Sequence, residues 1–472
     1  MFTRIDPRWL ALIILCLGDL MTVLDTTIVN VALPSIRTDL GFTEDSLVWV
    51  INAYLLTFAG FLLLAGRLGD LFGHRRVFLS GLFLFTVASL LCGSAHTQTL
   101  LIAARAVQGL GGAIISAVAL SLLITLFKEE KERAQAFAVF GFVAAGGGAI
   151  GVFLGGLLTT SLDWHWVFLV NIPIGILVFV LCLYLLPHSK LEHAPAQLDI
   201  LGAITVTLSL MLAIYAIVGG NQAGWLSPET LGTGILALLL FGLFLWIESR
   251  TKAALVPLSV FMLPNVSAVS LIGILWSAAM FAWFFLSALY MQFVLHYSPF
   301  EIGLAFLPAN LIMALFSLGL SARIVMRFGI KPSLILGMVL IGVGLLIFGF
   351  APGEHALVWF IIPAMTLLGL GCGCAFNPVL LAGTSFVPES EAGLASGVLN
   401  TAFMMGGSLG LAILASIAGA VTAFETAHGT DTAAASLTGY HIAFLVGSLF
   451  AFLAAFVAYV MVKVKPVSGK ND

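Results

Sequence analysis

Charged side chains are scarce in this chain: Asp, Glu, Lys and Arg make up 9% of its 472 residues, where an ordinary globular protein carries roughly a quarter. A chain of this length would normally form about three soluble domains. It has too little charge to cover them, which excludes a water-soluble enzyme, a nucleic-acid binder and a disordered scaffold. Cysteine is scarce as well. Cys16, Cys92, Cys182, Cys372 and Cys374 lie in or beside apolar runs, and their odd number fits small buried hydrophobes better than a disulfide framework. Cys372 and Cys374 are two apart on an expected helix and point to different faces, with no histidine or acid beside them, so no metal is expected there. No glycine loop with its lysine marks a nucleotide site. No connecting segment is long enough to hold a catalytic domain, so neither a cofactor nor an enzymatic activity is expected.

What the chain has in abundance is apolar surface, with 61% apolar residues and a mean hydropathy of +1.14. Stretches long enough to cross about 30 Å of hydrocarbon recur at 9–31, 47–66, 77–95, 99–124, 134–158, 166–186, 198–219, 232–248, 264–291, 302–322, 332–350, 356–382, 393–423 and 440–462. The expected fold is an all-α polytopic membrane protein whose solvent is the lipid bilayer. The first stretch reads as a true span and not a cleavable signal, because it holds Asp19 and Asp25 and lacks a small-residue cleavage site. Along the alternating loops, 17 of the 19 Lys and Arg residues fall on one side; Arg37 alone falls on the other, and Arg105 lies inside the fourth span. Basic loops stay cytoplasmic, so a multi-pass plasma-membrane protein with both termini inside is expected. Asp163, Glu301, His355 and the 424–438 loop then face outward.

Two of the basic loops echo each other. GRLGDLFGHRRV follows the second stretch and SARIVMRFGIKP the tenth, each with a Phe-Gly pair among basic residues. An offset of eight spans is two more than duplicated six-helix halves require. The expected organisation is therefore a six-helix bundle over 1–190, a two-helix insert over 191–256, and a second six-helix bundle with a short cytoplasmic tail over 257–472.

Ionisable groups in hydrocarbon are costly and mark functional sites. Asp19 and Asp25 on the first span and Arg105 on the fourth are the ones that stand out. Asp25 and Arg105 each lie about 9 Å from the outer end of their expected spans at 1.5 Å per residue, so they are expected partners if the two helices are neighbours. Asp19, Thr22, Thr26 and Asn30 fall within about 80° on a helical wheel, while Arg105 and Gln108 share a face. Two roles are open to the pair: a permanent tie between helices, or a proton switch. Desolvation disfavours a charged carboxylate and a nearby arginine favours it, so relative movement could load and unload the proton. The fifth span carries AAGGGAIGVFLGG, whose Gly147, Gly151 and Gly155 form a bare stripe. Close static packing and rocking between bundles both account for it.

Several stretches together resemble the major facilitator superfamily, in its fourteen-helix drug/proton antiporter branch: LDTTIVNVALP (24–34), GRLGDLFGHRR (66–76), RAVQGLGG (105–112), WHWVFLVNIPIG (164–175) and YSPFEIGLAFLP (297–308). The resemblance implies two bundles around a central cavity, exporting small hydrophobic or cationic compounds in exchange for protons by alternating access, the activity of a multidrug efflux transporter. Its partners would be protons and a small-molecule substrate, with the monomer as the working unit. Export of one specific product, such as an antibiotic, lipid or sugar, is the narrower alternative. By the same resemblance Asp25 would couple to protons with Arg105 as its electrostatic partner and Asp19 as an additional acid. Arg67, Asp70, Gly73, Arg75 and Arg76 would form a gating loop, and Gly147, Gly151, Gly155 and Gly156 the antiporter motif of the fifth helix. That motif usually has proline where this chain has Val152. Thr26, Asn30, Gln108, Trp276, Trp283, Phe284, Tyr290, Gln292 and Asn377 are the candidate substrate contacts, although aromatic residues in such spans also pack against lipid or neighbouring helices.

Overall fold

The computed structural model describes residues 7–463 apart from 128, 187–198, 252–253, 255–257, 264, 355 and 388–391. Helices account for nearly all of it. In chain order they are α1 (Pro7–Leu40), α2 (Glu44–Phe72), α3 (His74–Gly93), α4 (Gln98–Leu126), α5 (Glu130–Ser161), α6 (Trp166–Leu169), α7 (Asn171–Leu185), α8 (Ile200–Ala223), α9 (Pro228–Arg250), α10 (Val266–Leu289), α11 (Pro299–Leu315), α12 (Ser321–Phe328), α13 (Ile330–Phe348), α14 (Ile362–Thr384), α15 (Ala392–Ala427) and α16 (Thr432–Met461). Wider π turns extend α10 over Tyr290–Val294, join α11 to α12 over Phe316–Leu320 and lead into α14 over Leu357–Ile361. Among the described residues, eleven helices are long and apolar enough to cross a membrane, and shorter apolar helices occupy Ser46–Leu62, Ile150–Ser161 and Pro299–Leu315.

Several helices outrun the hydrophobic stretches expected from sequence. α1 continues past residue 31 to Leu40, so Arg37 stands in its last turn and not in a loop. It stops where Gly41 takes φ +67° and the Phe42 N–H reaches back to the Arg37 carbonyl at 3.1 Å, a left-handed glycine cap. The expected 424–438 loop is likewise mostly helix, because α15 runs to Ala427 and α16 starts at Thr432 on the side chain of Asp431, which accepts from the Ala433 N–H at 3.1 Å. Hydropathy marks where hydrocarbon ends, whereas helices end at caps.

The two echoing loops are built alike. Each is a helix end and a single glycine: α2 ends at Phe72 and α12 at Phe328, followed by Gly73 at φ +88° and Gly329 at φ +91°. The N–H of each glycine closes the preceding turn, to the Gly69 carbonyl at 3.0 Å and the Val325 carbonyl at 2.8 Å. A side chain at these positive φ values would be strained, which accounts for the shared Phe-Gly.

Packing follows the small residues. α5 lies on α1 along its glycine stripe, where a Cβ on Gly155 would stand 2.7 Å from the Ile28 carbonyl and one on Gly151 2.1 Å from Thr27 Oγ1. α15 lies on α10 in the same way, since a Cβ on Gly406 would meet Ile274 Cα at 2.4 Å and one on Gly410 would meet Ala278 Cβ at 2.1 Å. α4 packs on α2 and α3, α7 on α1 and α3, α14 on α13 and α11, and α16 on α13, α10 and α15. α5 meets α11, and α2 meets α15. α8 and α9 pair with each other, and α8 also touches α2 and α15.

The α1–α5 contact leaves no room for a side chain. Gly155→Val is expected to cost about 1–3 kcal/mol by overpacking, read as a drop of several degrees in thermal unfolding of detergent-purified protein. Gly232→Ala on α9, where nothing lies within 4 Å of the added Cβ, is expected to unfold like the parent.

Candidate functional site

At the centre of the first group of helices is a buried ionic network. Asp25 on α1 is fully buried and Arg105 on α4 is 1% exposed. Arg105 Nη1 donates to Asp25 Oδ2, and the same nitrogen donates to Gln108 Oε1 at 2.7 Å. The other carboxylate oxygen, Oδ1, accepts from Gln108 Nε2 at 2.6 Å and from Asn171 Nδ2 at 3.1 Å. Gln108 Nε2 also donates to Ser89 Oγ at 2.8 Å, and Arg105 Nε to the Val50 carbonyl at 2.9 Å. The guanidinium stands over the ring of Tyr54, 4.5 Å from its centroid, and 5.7 Å from that of Phe168. A desolvated pair offsets its cost only when its remaining donors and acceptors are filled. Here side chains from α4 and α7, a carbonyl of α2 and, through Gln108, Ser89 of α3 do that work.

Asp19, six residues and about 9 Å along α1 from Asp25, sits in a different setting. It is 7% exposed and accepts one bond, from Ser116 Oγ at 2.9 Å. It lines a cavity of about 290 Å³ with Thr22, Thr26, Tyr54, Phe140 and others. A second cavity of about 320 Å³, lined by Trp276 and Phe403, shares Leu120, Phe376, Asn400 and Met404 with the first. The two adjoin across these residues, walled together by α1, α2, α4 and α5 on one side and α10, α14 and α15 on the other. Tyr54 joins cavity and network, since it lines the first and stacks on Arg105 in the second.

The cavity lies towards the end of the molecule that carries the Gly73 and Gly329 turns. Leu120 is six residues from the end of α4, and Asn400 eight from the start of α15. At the opposite end the helices close on each other. A Cβ on Gly156 would stand 2.7 Å from the Pro299 carbonyl, Phe153 meets Phe300 edge-on at 6.2 Å, and the Arg37 guanidinium lies 4.5 Å from the ring centroid of Phe293.

The structure sorts the candidate residues. Thr26 and Trp276 line the cavity, whereas Gln108 belongs to the ionic network. Asn30 turns its amide back to the Thr26 carbonyl at 2.8 Å. Trp283 and Phe284 pack with Phe306 of α11, with Phe284 and Phe306 stacked at 5.3 Å. Tyr290 donates to the Pro352 carbonyl at 2.6 Å, far along α10 from the cavity. Gln292 is half-buried in the π turn after α10, and Asn377 is half-buried one position, or about 100°, round α14 from cavity-lining Phe376. Of the loop residues, Gly73 makes the turn, Arg75 Nη2 donates to the Leu183 carbonyl at 2.5 Å and Arg76 is exposed; the side chains of Arg67 and Asp70 lie outside the described residues. Gly147, Gly151 and Gly155 face α1, and Gly156 faces α11. Sequence reading did not single out Asn171, Ser89, Tyr54, Asn400 or Phe376. Asn171 and Asn400 carried a signal, an amide inside an apolar run.

An all-α membrane bundle with a central cavity and a buried ion pair beside it defines a polytopic membrane transporter rather than an enzyme. Residues 15–411 match the Major Facilitator Superfamily. The chain is 37% identical to the puromycin resistance protein pur8 of Streptomyces alboniger over 97% of this chain and 92% of that protein. It is 36% identical to the cephamycin export protein CmcT of Amycolatopsis lactamdurans, over 96% and 91%. It is 34% identical to the multidrug resistance protein Stp of Mycobacterium tuberculosis (strain CDC 1551 / Oshkosh), over 86% and 75%. In fold it is similar to the POT family transporter PepTSo (TM-score 0.70, 15% identity, 97% of this chain and 98% of that one) and to a D-xylose-proton symporter (TM-score 0.68, 14% identity, 97% and 98%). The chain belongs to the Major Facilitator Superfamily and is closely related to its antibiotic- and multidrug-resistance transporters.

Removing one member of a buried pair strands the other. Arg105→Ala is therefore expected to destabilise the protein by about 3–5 kcal/mol, seen as a marked fall in thermal unfolding in detergent. Arg105→Gln combined with Asp25→Asn is expected to lose less than the sum of the two single changes, because the two amides can still bond each other.

Proposed function

We propose that this protein is a proton-coupled exporter of small hydrophobic or cationic compounds, working by alternating access between two six-helix bundles. The bundles would span 1–190 and 257–472, with α8 and α9 as a peripheral insert in 191–256. The repeated Phe-Gly turns and the matching glycine contacts of α5 with α1 and α15 with α10 support the duplication. The basic bias of the loops puts both termini in the cytoplasm, so the cavity faces inward and the contacts of Gly156 and Arg37 close the outer side. A monomer suffices for this cycle, since the cavity is walled by one chain.

The observation that carries the reading is the Asp25–Arg105 pair beside a cavity walled by both bundles. In the state described Arg105 neutralises Asp25. Movement of α4 or α7 relative to α1 would remove donors from the carboxylate and let a proton take their place. Asp19, with a single hydroxyl donor, lends the cavity one acidic spot among apolar and aromatic side chains and the neutral polar groups of Thr22, Thr26, Ser116 and Asn400, the character that an amphipathic cation requires. Trp276, Phe376, Asn400, Met404 and Thr26 are the proposed contacts for such a cargo. The 66–76 segment, with Asp70 and Arg67 on the last turns of α2, is the proposed gate. Related chains are named for resistance to puromycin and lincomycin and for export of cephamycin, which supports antibiotic-like cargo; export of one such product remains the second reading.

In proteoliposomes, Asp25→Asn is expected to reduce pH-gradient-driven flux of puromycin or ethidium by about tenfold or more while cargo binding stays within a few-fold. Full driven flux in Asp25→Asn together with loss in Asp19→Asn would move the coupling to Asp19. Unchanged flux in both would remove it from α1.

Orientation has its own test in intact cells, on a background in which the five native cysteines are replaced. Cysteines at Ser227 and His428 are expected to react with an impermeant thiol reagent from outside, and one at Arg76 is not. Labelling at Arg76 would invert the topology.

A further inference from the structure

The cavity stops short of the closed end, but the helix faces that line it run on towards that end. On α10, Val269, Gly273 and Trp276 line the cavity. Trp283 and Ser287 fall with them within about 80° on a helical wheel, about 10 and 16 Å further along than Trp276. On α1, cavity-lining Asp19 and Thr26 fall within about 40° of Asn30 and Arg37. The two stripes face each other, since α1 meets α10 and the Arg37 guanidinium lies over the ring of Phe293, one turn and a half beyond Ser287. Asn30 is about 10 Å inward of Arg37 and Ser287 about 9 Å inward of Phe293. The two therefore stand at one level, in a seam between the cavity and the closed end.

Two polar groups in this seam lack partners. Trp283 is 1% exposed and Ser287 fully buried, and among the described residues neither Trp283 Nε1 nor Ser287 Oγ has a hydrogen-bond partner. A helical serine ordinarily returns its hydroxyl to the preceding turn, as Ser277 does to the Ile274 carbonyl at 3.1 Å, and a buried indole N–H ordinarily finds an acceptor, as Trp164 Nε1 does in Asp39 Oδ2 at 2.9 Å. Leaving such donors unpaired is costly while the seam is shut, and the cost is relieved when it opens. The seam also differs from the cavity in charge. Asp19 faces the cavity, whereas no acid occurs between Thr26 and Arg37 on α1 or between Trp276 and Phe293 on α10. Its aromatic surface is Trp283 packed with Phe284, which stacks on Phe306 of α11.

We infer that Asn30, Trp283 and Ser287 form a second cargo subsite, assembled when the seam opens to the outside: neutral and aromatic, offering hydrogen bonds to acceptor atoms of the cargo and no counter-charge to its cation. The subsite depends on the alternating-access cycle proposed above and gives that cycle its release step. Asp19 attracts a cation in the cavity and nothing in the seam replaces it, so a cationic cargo is held more weakly once it has moved outward.

The test is thiol labelling of the full-length protein in intact cells, with the five native cysteines replaced and an impermeant reagent added outside. Labelling of Asn30→Cys and of Ser287→Cys is expected to speed up while the cells export ethidium. Phe300→Cys, at the closed end where Phe300 meets Phe153, reports opening itself. Puromycin added outside, which carries carbonyl and ether acceptors, is expected to protect Ser287→Cys better than ethidium, which carries none. Adding Trp283→Phe, which keeps a ring and removes the N–H, is expected to weaken protection by puromycin about three- to tenfold and to leave protection by ethidium unchanged. Faster labelling of Phe300→Cys with none at Asn30→Cys or Ser287→Cys would overturn the subsite and leave alternating access standing. No change at any of the three would overturn the cycle and the subsite with it. Equal protection by puromycin with and without Trp283→Phe would overturn the hydrogen-bonding role.

Discussion

A carboxylate and a guanidinium kept out of water each carry several kcal/mol of desolvation, and the helices around α1 and α4 are arranged to offset that cost. Asp25 and Arg105 attract each other, but the pair is tolerable because Gln108, Asn171 and the Val50 carbonyl fill what the pair leaves open. The consequence reaches beyond electrostatics. Those partners come from α2, α4 and α7, so satisfying one carboxylate fixes how these helices stand around α1. A shift of any one of them changes the charge balance at Asp25. In the proposed cycle this sensitivity would let the same interaction brace one state and switch between states.

The glycine contacts supply the complementary freedom. Lipid offers no hydrophobic drive between helices, so close approach depends on small residues and on backbone surfaces that fit. Gly151 and Gly155 bring α5 against α1, and Gly156 on another face of α5 touches α11. One short segment therefore serves two interfaces, one within its own group of helices and one with the other. Gly155 has the backbone contact of a close interface with α1, and Gly156 sits at the end where the helices close on each other, so static packing and movement each have a place along the stripe. The carbonyl of Val152, between Gly151 and Gly155 in sequence, is 3.1 Å from where a Cβ on Gly303 of α11 would be.

Much of this was legible from the chain alone. Scarce charge and long apolar runs required a membrane bundle, because backbone groups in hydrocarbon must bond within helices. The echo of the two loops is matched by two Phe-Gly turns of like build, and the rarity of ionisable groups in the spans singled out Asp19, Asp25 and Arg105. These signals are local or one-dimensional, and burial in lipid makes them strict. Helix ends were less legible, since α1 and α15 continue on caps and turns after hydropathy has faded.

What tertiary structure alone decided is which polar groups meet. Spacing put Asp25 and Arg105 at one depth, but nothing in it said that Asn171 and Ser89 would complete the network or that Asp19 would face the cavity instead. The aromatic candidates divided for the same reason: Trp276 and Trp283 are alike in sequence, yet seven residues along α10 carry one to the cavity and the other onto α11. Composition tells a side chain that it must leave water. Which neighbour it finds depends on helices brought together from distant parts of the chain.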